Sequence, residues 1–329
     1  MSDAITRILG ETPVFLAPMA GISDVPFRSL ALRAGAGLVV SEMVASGEML
    51  NAKPSARARA ELGLDEARTS VQLAGREPAP MAEAARMLAG QGARIIDINM
   101  GCPARKVTGG LAGSALMRDL DRALSLIEAV VGASDAPVTL KMRLGWDGGC
   151  LNAPDLARRA ESAGVRMIVV HGRTRAQFYD GRADWAAVAA VKRAVGIPVV
   201  VNGDVTDAAS ARAALARSGA DGVMVGRGAR GRPWLVGRIA AELRGAPPAP
   251  EPAGAALRDA ILEHYEAMLA FYGADLGLRV ARKHLGWYLE RVEGGAALRA
   301  QALRLTDPRA VAAALAAVAD LPPAMDAAA

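Results

Sequence analysis

The sequence predicts an α/β protein: a (β/α)8 TIM barrel followed by a small C-terminal α-helical bundle. Three observations predict it. Eight short β-branched runs, each bounded by Gly, Pro, Asn or Asp, alternate with helix-like segments. Polar and Gly-rich residues gather directly after those runs, and in a closed parallel barrel all such ends share the face that builds active sites. A Pro-rich stretch then separates the alternating region from one that reads as helix throughout. An open doubly wound sheet more often stops at about six strands.

In chain order the strand-like runs are "VFLAPMAG", "GLVVSEMV", "TSVQLAG", "RIIDINMGCP", "PVTLKMRLG", "MIVVHGRT", "PVVVNGDV" and "GVMVGRGAR". Between them lie "VPFRSLALRAG", "APMAEAARMLAGQG", "NAPDLARRAESAG", "WAAVAAVKRAVG" and "DAASARAALARSG", several ending at a Gly suited to a helix C-cap. The barrel is assigned to residues 1–245. Residues 246–254 are the linker, for "GAPPAPEPAG" holds four prolines in ten residues and favours an extended connector. Residues 255–329 are the helical part. There "ALRDAILEHYEAMLAFYG" sets Leu257, Ile261, Tyr265, Met268 and Tyr272 on one helical face, and "LRVARKHLGWYLERV" and "DPRAVAAALAAVADL" are also helical. The final "PPAMDAAA" is expected to be disordered.

Composition bounds the function. The chain has 329 residues, 52% hydrophobic and 22% charged, which suits a soluble globular protein with a sizeable core. Its longest apolar run, in "AVAAALAAVADL", is too short to span a bilayer. The segment "MSDAITRILGETP" lacks the features of a secretory signal, and two cysteines without a framework pattern suit free thiols in a reducing cytoplasm. The net charge of +5 suits a nucleic-acid or polyphosphate partner, although solvated surface charge gives the same total.

Several residues at the strand ends could carry chemistry. Gly226, Gly228 and Gly231 have the spacing of a dinucleotide fingerprint, but they follow the last strand rather than the first. A phosphate cradle of backbone N–H groups near strands seven and eight fits better, with Arg227 adding charge and Gly203 and Asp204 flanking it. Lys141 and Arg143 alternate with apolar positions and so point to one side, where a buried lysine needs an anionic partner. Gln72, Asn99 and His171 are polar groups at three further strand ends. Each alone reads as a satisfied structural residue, and their convergence on one face reads as a site. Cys102 could be a nucleophile paired with His171, a general acid, or a small buried hydrophobe. The three histidines are scattered and no cysteine has a ligand-spaced neighbour, so no metal is expected. Arg105, Lys106, Arg143, Arg173, Arg175, Arg182, Arg227, Arg230 and Arg232 all follow strands, while Arg279, Arg282 and Lys283 cluster in the helical part; such a rim could grip a phosphodiester backbone.

The motifs "APMAGISDVPFR", "SEMV", "VQLAG", "DINMGCPARKVTGGLAGSALM", "KMRLGW", "VVHGRTRAQFYDGRADW", "VNGDV", "VGRGARGRPW" and "RKHLGWY" together resemble the tRNA-dihydrouridine synthases, most closely the bacterial B-type branch. Val25 departs from the arginine expected in that pattern. The resemblance implies an FMN-binding barrel, a C-terminal helical tRNA-binding domain, NADPH or NADH as reductant, and reduction of a uridine in the tRNA D-loop to 5,6-dihydrouridine. It implies that Cys102 is the proton donor and that Asn99 contacts the uracil edge. Pro18, Met19 and Ala20 would line the flavin. Gln72, Lys141 and His171 would bond its ring or ribityl chain, and Asn202, Gly203, Asp204, Gly226 and Arg227 would hold its phosphate end. Arg143, Arg173 and Arg175 on the rim and Arg279, Arg282 and Lys283 on the bundle are the candidates for tRNA contact, with tRNA the only partner and a monomer expected. Another FMN barrel of the dihydroorotate dehydrogenase kind is the runner-up, but gives no reason for a basic helical bundle. A non-catalytic RNA-binding relative is a third reading.

Overall fold

The computed structural model describes residues 4–63 and 65–322. The expectation of a disordered tail at "PPAMDAAA" falls, from residue 323 onward, outside the described residues. Eight parallel strands form the barrel: β1 (Val14–Leu16), β2 (Leu38–Val40), β3 (Thr69–Ala74), β4 (Ile95–Met100), β5 (Val138–Arg143), β6 (Met167–His171), β7 (Val199–Asn202) and β8 (Gly222–Val225). Each pairs with the next, and β8 closes on β1 through Val14 and Val223. A two-residue strand, Val44–Ala45, adds to β3 beyond the end of β2. All eight sequence runs therefore form strands, and they form the closed barrel that the sequence predicts.

The strands bury both faces, so they read as near-continuous apolar runs rather than alternating ones. Val14, Leu16, Val39, Ile96, Ile98, Leu140, Ile168, Val170, Val199 and Val201 pack outward against the surrounding helices. Phe15, Leu38, Ile95, Met167, Val169, Val200 and Met224 form a separate inner cluster. That cluster also takes in Ile5, Ile8 and Leu9 of the helix Ala4–Glu11, which adds its apolar side to the barrel's inner core. Sequence reading passed over this helix, although its apolar residues stand three and four apart.

Local signals set the helices that follow the strands. Asp24 caps Val25–Arg33 by accepting the Phe27 N–H at 3.0 Å, and Asp207 and Ser210 form a capping box on Ala208–Ser218. That last helix ends at Gly219 in the left-handed region, φ +63°, where a Cβ would be strained.

Residues 246–253 form neither helix nor strand. Glu251 ties this stretch to the barrel, accepting from Arg232 at 2.8 and 2.9 Å and from Trp234 Nε1 at 2.8 Å. Beyond it come the helices Gly254–Tyr272, Ala274–Leu289, Gly295–Ala302 and Pro308–Leu315. They share a second core that includes Leu257, Ile261, Tyr265, Met268, Leu285, Tyr288 and Val311. Tyr272, half-buried at the edge of this core, sends its hydroxyl to Asp24 Oδ2 at 3.0 Å, joining the bundle to the barrel. Phe27 of the barrel packs between His264 and His284, ring centroids 5.7 and 5.6 Å away. No helix among the described residues is long and apolar enough to cross a membrane.

Candidate active site

The strand ends open into a cavity of about 1440 Å³ at the C-terminal face of the barrel. Strand register builds it: Asn99 pairs with Lys141, Arg143 with His171, and His171 with Asn202, so polar ends from β4 to β7 stand side by side. Every residue expected at the flavin or the uracil lines this one cavity. Pro18, Met19 and Ala20 follow β1; Gln72, Asn99 and Cys102 come from β3 and β4; Lys141 and His171 from β5 and β6; Asn202, Gly203, Asp204, Gly226 and Arg227 from β7 and β8. Trp287, Glu290 and Arg291 close its outer side from the bundle.

Cys102 is positioned by hydrogen bonds to its backbone. Its N–H, at 3.0 Å, and that of Gly101, at 3.2 Å, both donate to Asn99 Oδ1. Its carbonyl accepts from the Ser114 hydroxyl at 2.8 Å. Two backbone donors on Oδ1 leave Asn99 no freedom to flip, so Nδ2 must donate onward, to Gln72 Oε1 at 2.7 Å. Gln72 Nε2 in turn donates to Asp97 Oδ2 at 2.7 Å, and the Thr139 hydroxyl donates to Asp97 Oδ1 at 2.6 Å. Burial pushes the Asp97 carboxyl up, and these two hydrogen bonds oppose the rise. Asp97 went unnoticed in the sequence, although two-residue alternation in "DIN" sets it on the same side of β4 as Asn99.

Lys141 lies almost wholly buried, donating from Nζ to Asn202 Oδ1 at 3.0 Å, while Asn202 Nδ2 donates to the Met224 carbonyl at 2.8 Å. Burial first, and the nearby Arg143 second, pull the lysine down to about 8. No carboxylate forms an ion pair with it among the described residues. A buried ammonium whose one hydrogen-bond acceptor is an amide oxygen, facing a cavity, suits an anionic or carbonyl-rich ligand. Burial, reinforced by Lys141, Arg143 and Arg173, holds His171 well below the usual imidazole range, so it stands neutral.

The turns after β7 and β8 bring glycine backbone to the cavity, tightly packed at Gly203 and open at Gly226. Gly203 has φ +117°, and a Cβ there would meet His171 Cδ2 and Ala183 Cβ at 2.8 Å each. At Gly226 an added Cβ would meet only Ala17 Cβ, at 3.7 Å. Arg227 lies on the Tyr179 ring, 4.4 Å from its centroid, and 3.5 Å from Asp204.

The candidates for tRNA contact divide. Arg143 and Arg173 are each 1% exposed and are not on a rim. Arg143 donates to the carbonyls of Gly101, Thr174 and Phe178, each at 2.8 Å. Arg173 forks onto both oxygens of Asp204, at 2.9 and 2.6 Å, and bonds the carbonyls of Asp180 and Gly181. Strand alternation turns Arg143 inward, where it lines the cavity with its guanidinium held by backbone carbonyls of the loops after β4 and β6. Asp204, which lines the cavity, also accepts the Ala183 N–H at 2.7 Å, so its carboxylate orients Arg173 there. Arg175 is half-buried and stacked on Trp146, 4.7 Å from its centroid. Arg279 is exposed, Arg282 is half-buried, and the Lys283 ammonium sits beside Gly21, 3.4 Å from where a Cβ would lie there. None of these four lines the cavity. No group of His, Cys, Asp and Glu able to hold a metal occurs among the described residues.

Comparison with known proteins gives a consistent answer. The family model described as dihydrouridine synthase matches residues 15–321. A Rhodobacter capsulatus protein named probable tRNA-dihydrouridine synthase is 66% identical over 311 residues, covering 94% of this chain and 95% of the relative. A Xanthomonas campestris protein named tRNA-dihydrouridine synthase B is 48% identical over 297 residues, covering 90% of each. Among solved structures, a morphinone reductase mutant in complex with tetrahydroNAD aligns with a TM-score of 0.51 at 16% identity, over 73% of this chain and 89% of that one, a likeness of fold alone.

Proposed function

The chain belongs to the dihydrouridine synthase family, and from that premise we propose that it reduces a uridine in the D-loop of tRNA to 5,6-dihydrouridine, with FMN as cofactor and NADPH, or NADH, as reductant. One observation carries the reading. Cys102, held by Asn99, shares a single cavity with Lys141, neutral His171 and the glycine turns after β7 and β8, of which Gly226 is open. That donor set suits a flavin mononucleotide. The turns at Gly203 and Gly226, with Arg227, suit its phosphate; Lys141 and Gln72 suit the carbonyl-rich edge of its ring, and Pro18 to Ala20 a flat apolar face.

When bound, FMN supplies the hydride that no side chain can provide, taken from the nicotinamide and delivered to carbon 6 of the uracil. The residues do the rest. Hydride addition leaves enolate-like charge on the uracil, and Asn99 stabilises it through the Nδ2 hydrogen not given to Gln72. Cys102 Sγ gives its proton to carbon 5 from the opposite face. Lys141, which lines the cavity, would offer its positive charge to a bound flavin. Extracting the uridine from folded tRNA costs stacking energy, which exposed cations on the helices beyond Gly254, such as Arg279, offset through phosphate contacts. A tRNA substrate implies a cytoplasmic site of action.

The direct test is to map dihydrouridine in tRNA from a strain lacking this gene, complemented with the wild type or with Cys102→Ala. Wild type restores the modification and Cys102→Ala does not; full restoration by the variant would remove the thiol from the mechanism.

A further inference from the structure

Across the loops that follow β4, β5, β6 and β8, guanidinium groups and aromatic rings form an unbroken series. Arg118 lies over Trp146 at 5.0 Å from its centroid, and Arg175 lies over the same ring at 4.7 Å. Arg175 also meets Phe178, at 5.5 Å. Phe178 packs edge-on against Tyr179 at 6.1 Å, and Arg227 covers Tyr179 at 4.4 Å.

Two features distinguish this ladder from ordinary surface charge. The loops carrying it are held rigidly. The β5 and β6 loops are joined by the Arg175 N–H to the Gly145 carbonyl at 3.0 Å and the Ala176 N–H to the Trp146 carbonyl at 2.8 Å. Arg143 binds the Phe178 carbonyl with the same guanidinium that binds Gly101, beside Cys102. Phe178 itself has φ +52°, a conformation a bulky side chain keeps only where its surroundings impose it. The first part of the ladder is also free of ion pairs: neither Arg118 nor Arg175 has one among the described residues, whereas Arg227 lies 3.5 Å from Asp204, and Tyr179 is 47% exposed.

We propose that this ladder is the surface on which bases of the RNA strand flanking the reduced uridine stack. The inference rests on the proposed function and adds where and how the substrate is gripped. An anionic strand of planar units matches a row of planar cations and rings in both charge and shape. Removing one uridine from a stack leaves its neighbours without a partner, and guanidinium groups set against aromatic rings replace what they lose. The ladder starts in the segment between β4 and β5 that also carries Cys102 and reaches Tyr179, which lines the same cavity as the thiol, with Arg227 beyond it left to the proposed flavin phosphate.

The test measures tRNA affinity of the flavin-loaded full chain over a range of salt concentrations, for wild type, Trp146→Leu, Arg118→Ala and Arg118→Lys. The expected result is about a tenfold loss of affinity in Trp146→Leu, with the salt dependence unchanged, because stacking releases no counterions. Arg118→Lys should bind as weakly as Arg118→Ala, since lysine keeps the charge and loses the plane. Flavin reduction by NADPH should be unaltered in all three. Recovery of wild-type affinity by lysine would make Arg118 a phosphate contact and overturn the stacking assignment; wild-type affinity in both Trp146→Leu and Arg118→Ala would overturn the surface altogether. Wild-type enzyme that forms no dihydrouridine in any tRNA would instead sink the proposed function.

Discussion

Asn99 Oδ1 accepts the backbone N–H of Cys102 at 3.0 Å while its own Nδ2 donates to Gln72 at 2.7 Å, so an amide that lines the cavity also shapes the loop that carries the thiol. The two functions can be separated by substitution. Cys102→Ala removes only the acid and should slow dihydrouridine formation about 10²- to 10⁴-fold, the range typical of a positioned proton donor. Asn99→Ala also frees two backbone donors and should cost at least as much. Both variants should still let NADPH bleach the flavin at the wild-type rate, and single-turnover absorbance of the two half-reactions checks this.

Lys141 gives the apo protein a pH signature. Its pKa is lowered to about 8 from the 10.5 of an unburied lysine, so above pH 8 the folded protein binds fewer protons than the unfolded chain. The cost of burying the charge therefore weighs fully below pH 8 and is relieved as pH rises toward 10.5. For the ligand the sign is opposite: FMN affinity should fall as pH rises through about 8, because the ammonium that faces the flavin is lost. Flavin-fluorescence titration across this range should show the fall in the wild type and a flat profile in Lys141→Met.

Arg143 should behave as a structural residue. Replacing it with alanine strands the carbonyls of Gly101, Thr174 and Phe178, and leaving a buried network unpaired costs about 3 kcal/mol or more. Denaturant unfolding should show the loss. The salt slope of tRNA binding should stay as in the wild type, whereas Arg279→Ala should lower it by up to about one.

Tyr272→Phe tests the contact between bundle and barrel. Burial, partly opposed by the Phe27 N–H and the Tyr272 hydroxyl, raises the Asp24 carboxyl to about 6. A raised carboxyl pKa means the folded state holds a proton that the unfolded chain has released, so stability falls as pH climbs from about 4 through 6. Above pH 6 Asp24 is ionised and the tyrosine hydroxyl gives it a charge-assisted hydrogen bond. Its loss should then cost about 1 to 2 kcal/mol at pH 8 and distinctly less at pH 5, measured by thermal or urea unfolding at the two pH values.

Much of the molecule was legible because its signals are local. Eight apolar runs separated by Gly and Asp caps specify eight buried parallel strands, and the polar residues after each run specify the functional face. The helix Ala4–Glu11 was legible in principle, through Ile5, Ile8 and Leu9, but nothing in its spacing says that it packs against the inner barrel core. The residues from Pro18 to Arg227 come together in one cavity because a parallel barrel puts all its strand C-termini on one side.

The sequence by itself determined the barrel, the address of the site and the family, since short-range periodicity and a specific run of motifs are properties of the chain. Only the tertiary structure decided what each polar side chain meets. Arg143 and Arg173 look like RNA contacts in sequence and prove to be buried clamps; Asp97 looks like a strand residue and proves to terminate the relay that orients Asn99. The reason is physical: a buried charge is defined by its partners, and those partners lie on other strands, brought within 3 Å only when the barrel closes.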